Sequence, residues 1–187
     1  MLFDMETLEA ANRYKILTAT VTPRPIAWVT TLSEDGVVNA APYSFFNAFG
    51  NDPPIVAIGV LSGPGRFKDS ATNILATGEF VVNLVSEANA EAMNVTCIDA
   101  PPEIDEIDLA GLTPAASQKV RPPRIAESPA SLECLEWGTL QIGNNRLIIG
   151  LVKRSHYKKW KASHPIAAGL GFSVTKDGGT LTFGDHF

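Results

Sequence analysis

The stretch SGPGRFKDS, residues 62–70, holds the densest set of side chains suited to binding an anion. Ser62 and Ser70 offer hydroxyl donors, and Arg66 and Lys68 offer positive charge. A short helical pattern, KDSATNILATG, follows at once, with Asp69 or Ser70 expected as its N-cap and Gly78 as its terminator. The start of a helix presents backbone N–H groups without intrahelical partners and the positive end of the helix dipole, which suits a phosphate. An ordinary capped helix after a Gly-Pro turn, its basic residues in water, accounts for the same residue types.

A second constellation lies upstream, in TPRPIAWVTTLSEDGVVNAAPYSFFNAF. Thr30, Thr31, Asn39, Ser44 and Asn47 are polar positions within or beside apolar extended segments. Polar side chains that become buried need partners, and a polar heterocycle with a ribityl chain would supply them. Phe45, Phe46 and Phe49 would give such a ring an apolar surface. Plain strand alternation explains about half of these positions.

Other chemistries find no footing. Gly169 and Gly171 form a lone G-x-G followed by a strand-like segment, so the dinucleotide fingerprint is missing. The 62–70 loop lacks the Walker spacing, and the three histidines, His156, His164 and His186, form no HExxH. No nucleophile elbow stands out. Asp99, Glu103, Asp105, Glu106 and Asp108 lack the glycine and spacing of a calcium loop, and a solvated loop is the expectation for them. Any catalysis would therefore belong to a bound cofactor.

The elements that must position these residues read mainly as strands. Pro23 and Pro25 exclude helix ahead of IAWVTTL, and EDG turns the chain into VVNAAPYSFFNAF, where Pro42 marks an edge or a break. IVAIGVLS and EFVVNLVS follow as strands, the latter with Phe80, Val82 and Leu84 on one face. Weak helical patterns occupy ETLEAANRYKILT and EANAEAMNVT. Residues 98–130 form a long Pro-rich excursion, which at that length is usually functional or packed against something. Hairpins are expected around Gly143-Asn144-Asn145 and Asp177-Gly178. Six or seven strands with two or three small helices predict a barrel-like β domain rather than a wound βαβ sheet.

With 187 residues the chain suits one domain, residues 1–187, with one sizeable core. A net charge of −5 argues against nucleic acid or an anionic membrane as the main partner. The first ten residues show no signal-peptide pattern and no apolar run approaches a membrane span, so a cytoplasmic protein is expected. Cys97 and Cys134 fit no metal or redox spacing and are expected to be buried free thiols.

Taken together, the blocks P-R-P-I-A, N-x-A-P-x-S-F-F-N, K-D-[ST]-x-x-N-I and E-F-V-V-N, in that order, resemble the flavin reductase-like, FMN-binding split-barrel family, flavoredoxin-type members included. The resemblance runs on through DEIDLAGLTPAASQKVRPPRIAESPASLECL into GLVKRSHY and covers nearly the whole chain. It implies a split β-barrel with a few short helices, a homodimer, and FMN rather than FAD in a groove near the subunit interface. By the same resemblance, Thr30 or Thr31 would lie along the isoalloxazine. Asn39 with Ser44, Phe45, Phe46 and Asn47 would hold the ring edge and ribityl chain. Ser62, Lys68 and Ser70, with Arg66, would grip the phosphate. His156 matches a position where family members carry histidine near the pocket, a surface histidine at a strand end being the alternative. The stretch HPIAAGLGFSVTKDGG departs from the family pattern: it lacks an arginine and has Phe172 where a tyrosine is usual.

The activity so implied is hydride transfer from NAD(P)H to N5 of the flavin, with electrons passed on to an acceptor. The alternative is a flavoredoxin-like carrier that docks a redox protein without oxidising NAD(P)H itself. NADH and NADPH are indistinguishable without a nucleotide fingerprint.

Overall fold

A computed structural model describes residues 2–61 and 67–157, together with the backbone of 172–174 and 181–183. In chain order the elements are α1 (Ala10–Thr20), β1 (Ala27–Leu32), β2 (Val38–Tyr43), β3 (Phe46–Asn51), β4 (Pro54–Leu61), α2 (Asp69–Thr77) and β5 (Glu79–Leu84). A 3-10 turn (Glu87–Asn89) then leads into α3 (Ala90–Val95) and α4 (Glu106–Leu109). The chain continues with β6 (Pro114–Ala115), β7 (Arg124–Ile125), β8 (Ala130–Ile142), β9 (Asn145–Tyr157), β10 (Phe172–Val174) and β11 (Leu181–Phe183).

Seven strands form one antiparallel sheet in the order β2-β1-β5-β8-β9-β4-β3. The two edge strands are consecutive in sequence: Tyr43 ends one, Phe46 begins the other, and only Ser44 and Phe45 lie between. Three Cα-to-Cα steps span at most about 11 Å. The two edges of the sheet are therefore brought together, and it curls into a barrel left open at this seam. The linker is pinned to the wall by the N–H of Gly59, which donates to the Phe45 carbonyl at 2.7 Å.

Alternation divides β1 between two cores. Ala27 and Val29 face inward with Val56, Ile58, Val60, Ile74, Phe80, Val82 and Ile148. Trp28 faces outward, where Ala40, Met93, Ile107, Leu112 and Ile125 bury it. The long excursion supplies much of that outer cover, as its length led us to expect. Gly150 lies directly beneath Phe80, and a Cβ there would overlap the Phe80 ring.

Several expectations hold: Pro42 lies on an edge strand, Phe80, Val82 and Leu84 share the inner face, and β8 and β9 form the predicted hairpin. Gly78 closes α2 in the left-handed region with φ 71°. The pairing of β10 with β11 matches the second hairpin, whose turn lies outside the described residues. Three expectations are corrected. The extended stretch after EDG is two strands on opposite edges. The N-cap of α2 is Lys68 rather than Asp69 or Ser70, and its side chain makes no capping hydrogen bond. Both cysteines are free, but only Cys134 is buried, whereas Cys97 is exposed. Among the described residues no helix is long and apolar enough to cross a membrane, and no group of three acidic, histidine or cysteine side chains is arranged to hold a metal.

Candidate active site

At the seam, beside edge strand β2, an open groove of about 530 Å³, solvent included, lies between the start of α2 and the segment following α3. Lys68, Asp69 and Ser70 form one side, Cys97 to Ala100 the other, and Asn39, Tyr43 and Glu106 line its base. Its polar groups are tightly connected. The Ser70 hydroxyl, 1% exposed, donates to Asn39 Oδ1 at 2.8 Å, and Thr31 Oγ1 lies 3.4 Å from the same oxygen. Asn73 Nδ2 donates to Thr31 Oγ1 at 3.0 Å. Asn39 Nδ2 donates to Glu106 Oε2 at 3.0 Å, and so does the backbone N–H of Ala40. That N–H belongs to an edge strand, whose outer amides have no neighbouring strand to pair with. Glu106 thus closes the edge and fixes which way the Asn39 amide faces.

Burial raises the Tyr43 phenol to about 12; the Ser70 hydroxyl opposes the shift, and the negative charges of Asp69 and Glu106 reinforce it. The phenol therefore stays protonated at neutral pH and can serve as a hydrogen-bond donor. Lys68 reaches across the mouth of the groove to Asp99, Nζ to Oδ1 3.2 Å.

The structure thus brings Thr31, Asn39, Lys68 and Ser70 together. Ser44, Phe45, Phe46 and Asn47 sit at the nearby seam. Ser44 Oγ accepts from Arg24 Nε at 3.4 Å, and the Phe45 ring packs tilted against Tyr14 with centroids 6.0 Å apart. Phe46 packs on the inner core, whereas Asn47 is exposed and accepts from the Ala48 N–H at 2.8 Å. Thr30 is buried on the opposite face of β1, where its hydroxyl donates to the Pro123 carbonyl at 2.6 Å. His156 is elsewhere too, at a second hollow lined by Arg124, Ser128, Ser131 and Tyr157, with its Nε2 on the buried Glu133 carboxylate. Ser62 and Arg66 lie outside the described residues, as does most of the atypical C-terminal stretch.

Sequence reasoning missed Tyr43, Asp99 and Glu106. The acidic run is not a solvated loop throughout: Glu106 is 5% exposed, and Asp105 caps α4 through the amides of Ile107 and Asp108. An acidic N-cap followed by Ile107 and Leu109 was the available signal.

A curled, seam-opened antiparallel barrel with a few short helices is the fold of the flavin reductase split-barrel proteins, and known structures agree. The chain matches nitrilotriacetate monooxygenase component B from Bacillus cereus at 33% identity and a TM-score of 0.84, over 91% of this chain and 89% of that one. It matches 2-nitrobenzoate 2-nitroreductase from Pseudomonas fluorescens at 33% identity and 0.77, over 84% and 77%. Flavoredoxin of Desulfovibrio vulgaris, at 18% identity and 0.67 over 85% and 78%, shares the fold. The flavin reductase like domain matches residues 19–168, and the chain belongs to that family. Among its relatives, an uncharacterized protein of Deinococcus radiodurans is 47% identical over 80% of this chain and 68% of its own length.

Proposed function

We propose that residues 1–187 form a single NAD(P)H-dependent flavin oxidoreductase domain that holds FMN in the groove beside α2. The observation that carries this reading is the first turn of α2: its N-cap is Lys68, whose side chain has no acceptor to offer the helix amides and makes no capping hydrogen bond. A helix start left in this way beside a lysine and the cluster of Thr31, Asn39 and Ser70 fits a phosphate with a polar chain attached. Ala41, Pro42 and Tyr43, which line the groove, add apolar surface beside it.

When bound, FMN supplies hydride acceptance at N5 and onward electron transfer, which no described side chain needs to perform. The chain's own part is placement. Lys68 and the α2 amides hold the phosphate end. Asn39 is locked by Glu106 and Ser70, so a ribityl hydroxyl meets a fixed partner rather than a rotating amide. The Tyr43 phenol, protonated throughout the physiological range, presents a donor. Two structural neighbours at the same 33% identity carry different names, a monooxygenase component and a nitroreductase, which supports inheritance of the flavin site rather than of one acceptor. A cytoplasmic homodimer with the flavin near the subunit interface completes the proposal.

An absorbance spectrum of the purified protein, with NADH and then NADPH added anaerobically, tests it. A flavin band that bleaches with either nucleotide is expected, and the nucleotide that works identifies the donor. A band that persists with both and bleaches only with dithionite overturns the reductase in favour of an electron carrier. No band, even after FMN is added back, removes the flavin.

A further inference from the structure

The segment between α3 and α4 is anchored at both ends by buried side chains. At one end, buried Thr96 accepts from Trp28 Nε1 at 2.9 Å and donates to the Met93 carbonyl at 2.7 Å. At the other, Glu106 bonds Asn39 and the Ala40 amide. Between these anchors Cys97, Ile98 and Asp99 are all exposed and form one wall of the groove. The contact that reaches across the groove mouth is Asp99 to Lys68, with the two side chains 72% and 45% exposed.

We infer that Asp99 is an internal competitor for the phosphate of the flavin, and that it sets how readily the protein exchanges FMN. The inference rests on the reading of the groove as a flavin site. A carboxylate and a phosphate present the same chemistry to an ammonium group: anionic oxygens at hydrogen-bonding distance. Lys68 cannot give its full charge to both. An arriving phosphate displaces Asp99 and meets a carboxylate still tethered nearby; a departing one is replaced by it. An exposed ion pair of this kind is worth little, so displacement is easy and the exchange stays reversible. The competition acts on the phosphate alone, so it separates FMN from riboflavin, which shares the ring and ribityl chain but has no phosphate. The site is thereby suited to a flavin that comes and goes rather than one held permanently.

The test titrates wild type, Asp99→Asn, Lys68→Ala and the double variant with FMN and with riboflavin at low ionic strength, and follows FMN release by stopped flow. Asp99→Asn should tighten FMN by about three- to five-fold, chiefly through slower release, and leave riboflavin unchanged. In the Lys68→Ala background the same change should have a smaller effect, because the shared partner is gone. Equal FMN affinity in wild type and Asp99→Asn overturns the inference, and so does an equal shift for both ligands, which would assign the segment a purely steric role. If Lys68→Ala weakens FMN while Asp99→Asn changes nothing, the flavin site stands and the competition falls. If wild type binds neither ligand, both fall together.

Discussion

Glu106 is the side chain on which the groove's base depends. It is nearly buried and takes two donors, the Asn39 amide and the Ala40 N–H. Removing it strands both donors at nearly buried positions, and each stranded donor costs about 1–3 kcal/mol. Glu106→Ala should therefore lose roughly 2–4 kcal/mol in urea unfolding, while Glu106→Gln, which keeps one acceptor oxygen, should lose clearly less. Equal losses would show that the carboxylate acts by charge rather than as an acceptor. This is also the residue scale at which the sequence was partly silent. Asn39, Ser70 and Thr31 stood out as polar positions among apolar ones, and Lys68 as the cation beside a helix start. Glu106 looked like one acid among five, because its partners lie 66 and 67 residues away in the chain.

At the scale of elements, the alternation of apolar residues was enough to place β1, β4, β5 and the β8–β9 hairpin. The excursion had no periodicity to read, for a physical reason. It is not held mainly by its own pattern but by side chains that the sheet sends into it. Thr30 takes the Pro123 carbonyl, and Asn83 Oδ1 accepts from the Ile125 amide at 3.0 Å. Glu133 accepts from the amides of Gln118 and Lys119 and pairs with His156. Burial alone would raise the Glu133 carboxyl, yet the Gln118 amide, the His156 ring and the Lys119 amide outweigh it, and its pKa falls below the usual glutamate value. A carboxylate whose folded pKa is depressed adds stability above its unfolded value, near 4.3, and loses it as the pH falls through the lower folded value. Glu133→Gln should therefore be less stable than wild type at neutral pH and flatten the acid limb of stability against pH. Thermal unfolding at a series of pH values from about 7 down to 3 reads this directly, and parallel curves for the two proteins would refute it.

For the whole molecule, what the barrel leaves outside is as informative as what it encloses. On the β8–β9 hairpin, Ile148 points inward, so its cross-strand partner Thr139 does too, and Leu140, Ile142 and Leu147 lie on the outer face. Leu140 and Ile142 are 54% and 62% exposed, with Trp137 of the same strand more exposed still. Helix α1 has no buried residue at all, although Tyr14 and Leu17, with Val21 just past its end, are apolar and about half exposed. A helix of that length is marginal in water by itself and gains its stability from packing. Burying two or three such side chains from each of two chains contributes several kcal/mol, at about 1.5–3 kcal/mol per side chain fully removed from water. A second copy of the chain is the cover the proposed homodimer supplies. Sedimentation velocity should show a dimer for wild type and a monomer for Leu140→Glu/Ile142→Glu. Because these positions face away from the inner core, the variant should keep its far-ultraviolet circular dichroism. If it also loses FMN affinity, the partner completes the flavin site; if it keeps it, one chain holds the flavin alone. A wild-type monomer at micromolar concentration would remove the dimer from the proposal and leave the groove beside α2 to function within a single chain.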